Sequence, residues 1–126
     1  MRQRILVVDD DGIYLGFMRE ILEGADYDVD VAETLQAARR AVGERAPDLV
    51  LVDIRLGAFN GLQLVSEMSG SAAPIPMIVV SGFDDPVLRA DAAALGAPYL
   101  VKPVSSSLLL RTIANRLRGR PPQDVK

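Results

Sequence analysis

In 126 residues, 49% of them hydrophobic, this chain carries enough apolar material for one domain with a sizeable core and too much for a disordered segment. It has no cysteine and no histidine, which excludes disulfides, thiol nucleophiles, the usual zinc ligand sets and any phosphohistidine of its own. A net charge of −3 leaves no electrostatic footprint for nucleic acid, and the longest apolar runs, such as 76–80, are far too short to span a bilayer.

The chain begins MRQRILVV, with basic residues ahead of an apolar stretch, but that stretch meets three aspartates after four residues. A signal peptide does not read this way, so a cytoplasmic protein is expected. The continuous apolar run predicts a first strand over Arg4–Asp9, buried on both faces. A helix follows from about Gly12 to Gly24, with Tyr14, Phe17, Met18, Ile21 and Leu22 at helical spacing. Val29 and Val31 alternate with Asp28 and Asp30 in a short second strand. Thr34 can cap a second helix, whose Leu35, Ala38 and Val42 share a face.

Pro47-Asp48 breaks the chain, and LVLVD, Leu49–Asp53, forms the third strand. A glycine-containing loop leads to a third helix around Leu62–Met68. The fourth strand is Pro76–Ser81, and the fourth helix starts near Asp85-Pro86, with proline in the favoured first turn, and stops at Gly96. Tyr99–Lys102 is the fifth strand. The fifth helix opens at Ser105–Ser107 and carries Leu108, Leu109, Ile113 and Leu117. GRPPQDVK, residues 119–126, reads as a flexible tail or the start of a linker after a domain over 1–118.

Strict strand–helix alternation with strongly apolar strands means an α/β fold, a parallel sheet with helices on both faces. Ligands of such sheets bind at the carboxyl ends of the strands. Asp9 and Asp10 end the first strand, Asp53 the third, Ser81 the fourth and Lys102 the fifth. Carboxylates so gathered repel: at ~4 Å and an effective dielectric near 20, two unit charges interact by roughly 4 kcal/mol. Without histidine or cysteine they are hard oxygen ligands suited to Mg²⁺. A carboxylate in that shell can attack phosphorus to form an aspartyl phosphate, with Lys102 neutralising charge on the phosphoryl group and the Ser81 hydroxyl binding one of its oxygens. A dinucleotide site needs a glycine-rich first turn; DDDG puts negative charge there instead.

VVDDD, LVLVDIRL, VVSG and YLVKP, in this order and spacing, resemble the receiver domain of bacterial two-component response regulators over residues 4 to about 118. Each motif is weak alone; the set is specific. The resemblance implies a doubly wound, flavodoxin-like, five-stranded parallel sheet of order 2-1-3-4-5 with five helices. It implies Asp53 as phosphoacceptor, Mg²⁺ held directly by Asp10, Asp53 and the backbone carbonyl of Arg55, and Asp9 acting through a metal-bound water. Ser81, Lys102 and Tyr99 correspond to the switch hydroxyl, the lysine and the switch aromatic. Lys102-Pro103 is expected to be cis. Arg55 and Phe83, two residues beyond the acceptor and the switch serine, are expected to overhang the site and tune self-dephosphorylation.

A sensor histidine kinase or a histidine phosphotransfer protein is the implied phosphodonor. A downstream protein would bind the face of the fourth helix, fifth strand and fifth helix, with no nucleic acid or membrane partner, and the resemblance leaves room for a homodimer. Two departures stand out. Gly57 replaces the proline that many members carry four residues after the acceptor, which predicts a more mobile acceptor loop. GAPYL is one residue shorter than usual, and the deletion is placed in the loop because Tyr99 keeps its distance from Lys102.

Plainer roles suit other residues: Asp11 as a helix cap, Asp84-Asp85 as the entry to the fourth helix, and the arginines of 111–120 as a solvated face with favourable charge at a helix C-terminus. The rival reading is a Mg²⁺-dependent aspartyl-phosphate phosphohydrolase. Such enzymes carry a second acid two residues after the nucleophile, where this chain has Arg55, and they hold substrate under a cap insertion that is missing here. A switch rather than a turnover enzyme is expected.

Overall fold

The computed structural model describes residues 2–56, 59–70 and 74–118. Gly57 and the tail expected from Gly119 onward lie outside the described residues. The elements in chain order are β1 (Arg4–Val8), α1 (Gly12–Gly24), β2 (Asp28–Ala32), α2 (Leu35–Glu44), β3 (Leu49–Asp53), β4 (Arg55–Leu56), β5 (Phe59–Asn60), α3 (Leu62–Ser69), β6 (Met77–Ser81), α4 (Pro86–Ala94), β7 (Tyr99–Val101) and α5 (Ser106–Leu117). Five strands form one parallel sheet in the order β2-β1-β3-β6-β7. With the small β4–β5 hairpin set aside, that is the expected order 2-1-3-4-5.

The strand period of two divides the core into two layers. Leu6, Val8, Val50, Val52 and Val79 pack with Leu35 and Ala38 of α2, Leu64 and Val65 of α3 and Ala92 of α4. Ile5, Val7, Leu49, Leu51, Ile78 and Val80 pack with Leu15, Met18 and Leu22 of α1 and Leu109, Ile113 and Leu117 of α5. Each of these Val, Leu, Ile and Met side chains, once fully buried, contributes about 1.5–3 kcal/mol relative to exposure, which offsets ordering entropy of similar size. The same period fixes the strand ends. Residues 9, 53 and 102 continue the parity of the α1/α5 layer, and residues 81 and 99 belong to the α3/α4 side.

Four of the helices begin on a side-chain cap. Asp11 accepts from Ile13 N (3.0 Å) and Tyr14 N (3.3 Å), Thr34 from Ala37 N (3.0 Å), Asp85 from Val87 N (2.9 Å) and Leu88 N (3.3 Å), and Ser105 from Leu108 N (3.2 Å). Asp11 and Asp85 therefore take the capping roles expected of them. Helix α4 ends on Gly96, whose φ of +78° suits glycine, with Ala97 N donating to the Ala92 carbonyl at 2.9 Å. At the opposite sheet edge, buried Asp48 accepts the Arg4 amide at 2.7 Å; its burial is structural.

Several boundaries and faces differ from expectation. β1 and β7 end one residue early, at Val8 and Val101, yet Asp9 N still donates to the Ala32 carbonyl and Lys102 N to that of Ser81, so the ladder reaches both residues. β6 starts at Met77, since Pro76 has no N–H to give, although its carbonyl accepts Val50 N. Phe17 was expected on the core face of α1 and is 57% exposed, while Leu15 is buried instead. At 3.6 residues per turn Phe17 lies about 100° around the helix from Met18, outside the buried stripe. Leu108 is likewise largely outside, at 38%. The β4–β5 hairpin, with Arg55 opposite Asn60, stands where a plain loop was expected.

Candidate functional site

The carboxyl ends of β1 and β3 bring Asp9, Asp10 and Asp53 together, with a carboxylate oxygen of each within 4.8 Å of the others. Asp9 is buried, Asp53 half-buried and Asp10 exposed. Lys102, just past β7, reaches between two of them: its Nζ lies 2.8 Å from Asp9 Oδ2 and 3.2 Å from Asp53 Oδ2. The other oxygens accept backbone donors, Asp9 Oδ1 from Asp11 N (2.9 Å) and Asp53 Oδ1 from Arg55 N (3.0 Å). The parity argument explains the meeting: Asp9, Asp53 and Lys102 all project from the same face of the sheet, the first two from adjacent β1 and β3 and the long lysine from beyond β7, across β6.

The electrostatics are those of too much negative charge around one ammonium. Burial pushes the Asp53 carboxyl above its ordinary value; the Arg55 amide and Lys102 pull it down without prevailing, and Asp9 adds to the rise. For Lys102, burial alone would lower the ammonium's pKa, but the hydrogen bond to Asp9 and the charges of Asp53 and Asp9 outweigh it and raise it. The two partners move the same way because the lysine has two anionic neighbours, whereas Asp53 has one cation, one like charge and a desolvated position. A cluster of carboxylates with no nitrogen or sulfur ligand fits a hard divalent cation such as Mg²⁺, and exposed Asp10 gives it a way in.

A second group sits on the other face of the same edge. Ser81 is fully buried, its Oγ accepting Phe83 N at 3.1 Å. Tyr99, 8% exposed, donates its hydroxyl to the Phe83 carbonyl at 2.6 Å. Ser81 and Tyr99 thus hold the two backbone polar groups of one residue, Phe83. The Phe83 ring, 54% exposed, lies under the Arg55 guanidinium with 4.2 Å to its centroid. Arg55 and Phe83 are therefore brought together, the one just after Asp53 and the other just after Ser81.

Two residues escaped the sequence reading. Tyr14 was placed among core positions of α1, but its ring carries Lys102 Nζ at 4.0 Å from the centroid. Burial, with Asp9 and Asp53, raises its phenol pKa against the opposing charge of Lys102. Arg89 of α4 covers the Tyr99 ring at 4.8 Å while pairing with Asp84 at 2.8 Å. The only sequence signal for either was position: Tyr14 lies in the first turn after the aspartates, and Arg89 one turn after the Asp85 cap.

The family model that matches is that of the response regulator receiver domain, over residues 5–114. The chain belongs to this family. The receiver domain is 34% identical over 119 residues to the DNA-binding response regulator MtrA of Mycolicibacterium paratuberculosis, covering 94% of this chain and 52% of that protein. It is 32% identical over 114 residues to the transcriptional regulatory protein ZraR of Escherichia coli O157:H7, covering 90% of this chain and 26% of that one. The chain thus spans about half of the first relative and about a quarter of the second. A solved receiver domain protein, described as CheY-like, from Methanospirillum hungatei JF-1 superposes with a TM-score of 0.87 at 30% identity, covering 93% of this chain and 94% of the other. Among the described residues of the receiver domain, no helix is long and apolar enough to cross a membrane.

Proposed function

We propose that Asp53 is the phosphoacceptor of this receiver domain and that phosphorylation there switches a partner-binding face. The observation that carries this reading is the convergence of Asp9, Asp10 and Asp53 within 4.8 Å, with Lys102 bridging Asp9 and Asp53. The donor is the one the receiver family implies, a histidine kinase or a histidine phosphotransfer protein; with no histidine, these 126 residues cannot carry the phosphohistidine themselves. An Asp53 carboxylate oxygen attacks phosphorus, the P–N bond of the donor's phosphohistidine breaks, and the imidazole leaves with the electron pair. Asp10, Asp53 and the Arg55 carbonyl would hold Mg²⁺ directly, with Asp9 acting through a water; when bound, the ion supplies Lewis-acid charge neutralisation.

The chain's own residues do the rest. Lys102 loses a full charge partner when Asp53 becomes an acyl phosphate, and its ammonium turns to the phosphoryl oxygens. Ser81 Oγ accepts Phe83 N and keeps its own hydrogen to give. It lies on the α3/α4 face, however, so its side chain must turn to reach those oxygens, which disturbs the contact with Phe83 N. Phe83 in turn holds the Tyr99 hydroxyl, so the change passes from β6 to β7 and to the face of α4, β7 and α5. There Val87 already stands 68% exposed. This is a two-state element biased by a local charge change. The compartment is the cytoplasm, and the downstream partner is a protein, which includes a second copy of the chain. Turnover of external phosphomonoesters is no part of this reading, because Arg55 stands where a phosphohydrolase needs its second acid.

Intact-mass measurement with acetyl phosphate tests the assignment. Wild type should gain one phosphoryl group with Mg²⁺ and none without it, and Asp53→Ala should gain none. Labelling that persists in Asp53→Ala moves the acceptor elsewhere. Multiple turnover of a generic phosphomonoester by the wild type would favour the phosphohydrolase.

A further inference from the structure

Lys102 ends in a compact charge on a flexible four-carbon stem, and two carboxylates at 2.8 and 3.2 Å do not by themselves fix it between them. A third neighbour is the Tyr14 ring, 4.0 Å from centroid to Nζ. An ammonium at that distance from an aromatic face is attracted by the ring quadrupole, the more so where water is partly excluded, as for this lysine at 23% side-chain exposure. The ring is itself held by the aspartate run. Asp9 accepts the Asp11 amide at 2.9 Å, Asp11 caps α1 and accepts Tyr14 N at 3.3 Å, Tyr14 carries Lys102, and Lys102 returns to Asp9. The contacts close into a circuit.

We propose that Tyr14 is a positioning residue for Lys102: its ring keeps the ammonium between Asp9 and Asp53 and within reach of a phosphoryl group carried on Asp53. The inference rests on the phosphoacceptor reading above. Packing alone would not need a ring at this position, because an aliphatic side chain of similar reach fills an apolar site beside Met18 and Val80 as well. Only an aromatic face attracts the cation.

The chain has two lysines, Lys102 and Lys126, so the Lys102 ε-methylene and ammonium signals are assigned by NMR with one Lys102→Ala variant. They should be shifted upfield by the ring current in wild type and Tyr14→Phe, and the shift should vanish in Tyr14→Leu. Binding of fluoroberyllate with Mg²⁺, a phosphoryl mimic, then gives the functional readout. Tyr14→Leu should weaken it about three- to tenfold, and Tyr14→Phe should restore it to within about twofold. In a Lys102→Ala background, Tyr14→Leu should cost nothing further, since the effect runs through the lysine.

Wild-type binding by Tyr14→Leu overturns the proposal, and so does an equal loss in the Lys102→Ala background, which would mean packing. Should Tyr14→Leu fail to fold, Tyr14→Met is read in the same way, and absence of the upfield shift in wild type overturns the proposal by itself. Failure of wild type to bind fluoroberyllate at all would instead sink the phosphoacceptor reading, with the ring-current result still standing.

Discussion

Phe83 shows how one residue can couple several parts of the edge. Its amide is held by Ser81, its carbonyl by Tyr99 and its ring by Arg55. An acyl phosphate on Asp53 is lost by in-line attack of water, so the groups over the site control its lifetime. On the proposed reading those groups are the Arg55 guanidinium and the Phe83 ring beneath it, and neither accepts a proton or orients a water as a carboxylate or amide does. The phosphorylated state should therefore decay slowly. Arg55→Asn combined with Phe83→Glu should speed phosphate release by about tenfold or more, the low end of what a positioned acid–base group contributes. Release kinetics after removal of the phosphodonor would measure this, and an unchanged rate would show that the stack is not the shield. Lys102→Ala should still accept a phosphoryl group from acetyl phosphate but bind its downstream partner with little gain on labelling, because its ammonium links the site to β7.

Among the elements, the start of α3 sets the acceptor's backbone. Gly61 donates its amide to the Ile54 carbonyl at 2.7 Å, and a Cβ there would stand 2.1 Å from the Asp53 carbonyl oxygen. Backbone cannot yield as a flexible side chain can. Gly61→Ala should destabilise the fold by about 1–3 kcal/mol and weaken Mg²⁺ binding, because the strain falls on Asp53 itself. Gly16 is the counter-case. It lies within α1, and nothing approaches a built Cβ within 4 Å. Gly16→Ala should stabilise by about 0.5–1 kcal/mol through helix propensity alone. Urea denaturation of the two variants decides both signs at once. Losing the Asp11 cap should cost about 1 kcal/mol and loosen Tyr14 as well, since one carboxylate serves both.

At the scale of the whole molecule, the site was legible in the sequence where it follows from the sheet's period. Asp9, Asp53, Ser81 and Lys102 stand at strand ends, and parallel strands bring their carboxyl ends to one edge whatever the loops do. The capping acids were legible for a similar reason, because their partners lie two or three residues away. The contacts that were missed join segments whose approach no local pattern encodes: Tyr14 on Lys102, Gly61 against the Asp53 carbonyl, Arg89 over Tyr99. Phe17 was misplaced because its spacing from Tyr14 and Ile21 mimics a core stripe that the true helix phase excludes.

The three carboxylates are held together against their own repulsion, which on the proposed reading a bound cation would relieve. Burial raises the Asp53 pKa, so its contribution to stability is present in acid and is lost as pH rises through the folded value, above 3.8. At neutral pH the ionised acceptor is therefore a destabilising group. The direct measurement is thermal melting with and without Mg²⁺ for wild type, Asp53→Asn and Asp10→Asn. At a hundredfold excess over Kd, Mg²⁺ should stabilise the wild type by about 2.7 kcal/mol. Both variants should melt higher than wild type without metal at neutral pH and lose the Mg²⁺-dependent rise, and the Asp53→Asn gain should shrink as pH falls toward 3.8. Equal Mg²⁺ shifts in all three proteins would contradict the assignment of Asp10 and Asp53 to the metal and phosphoacceptor site.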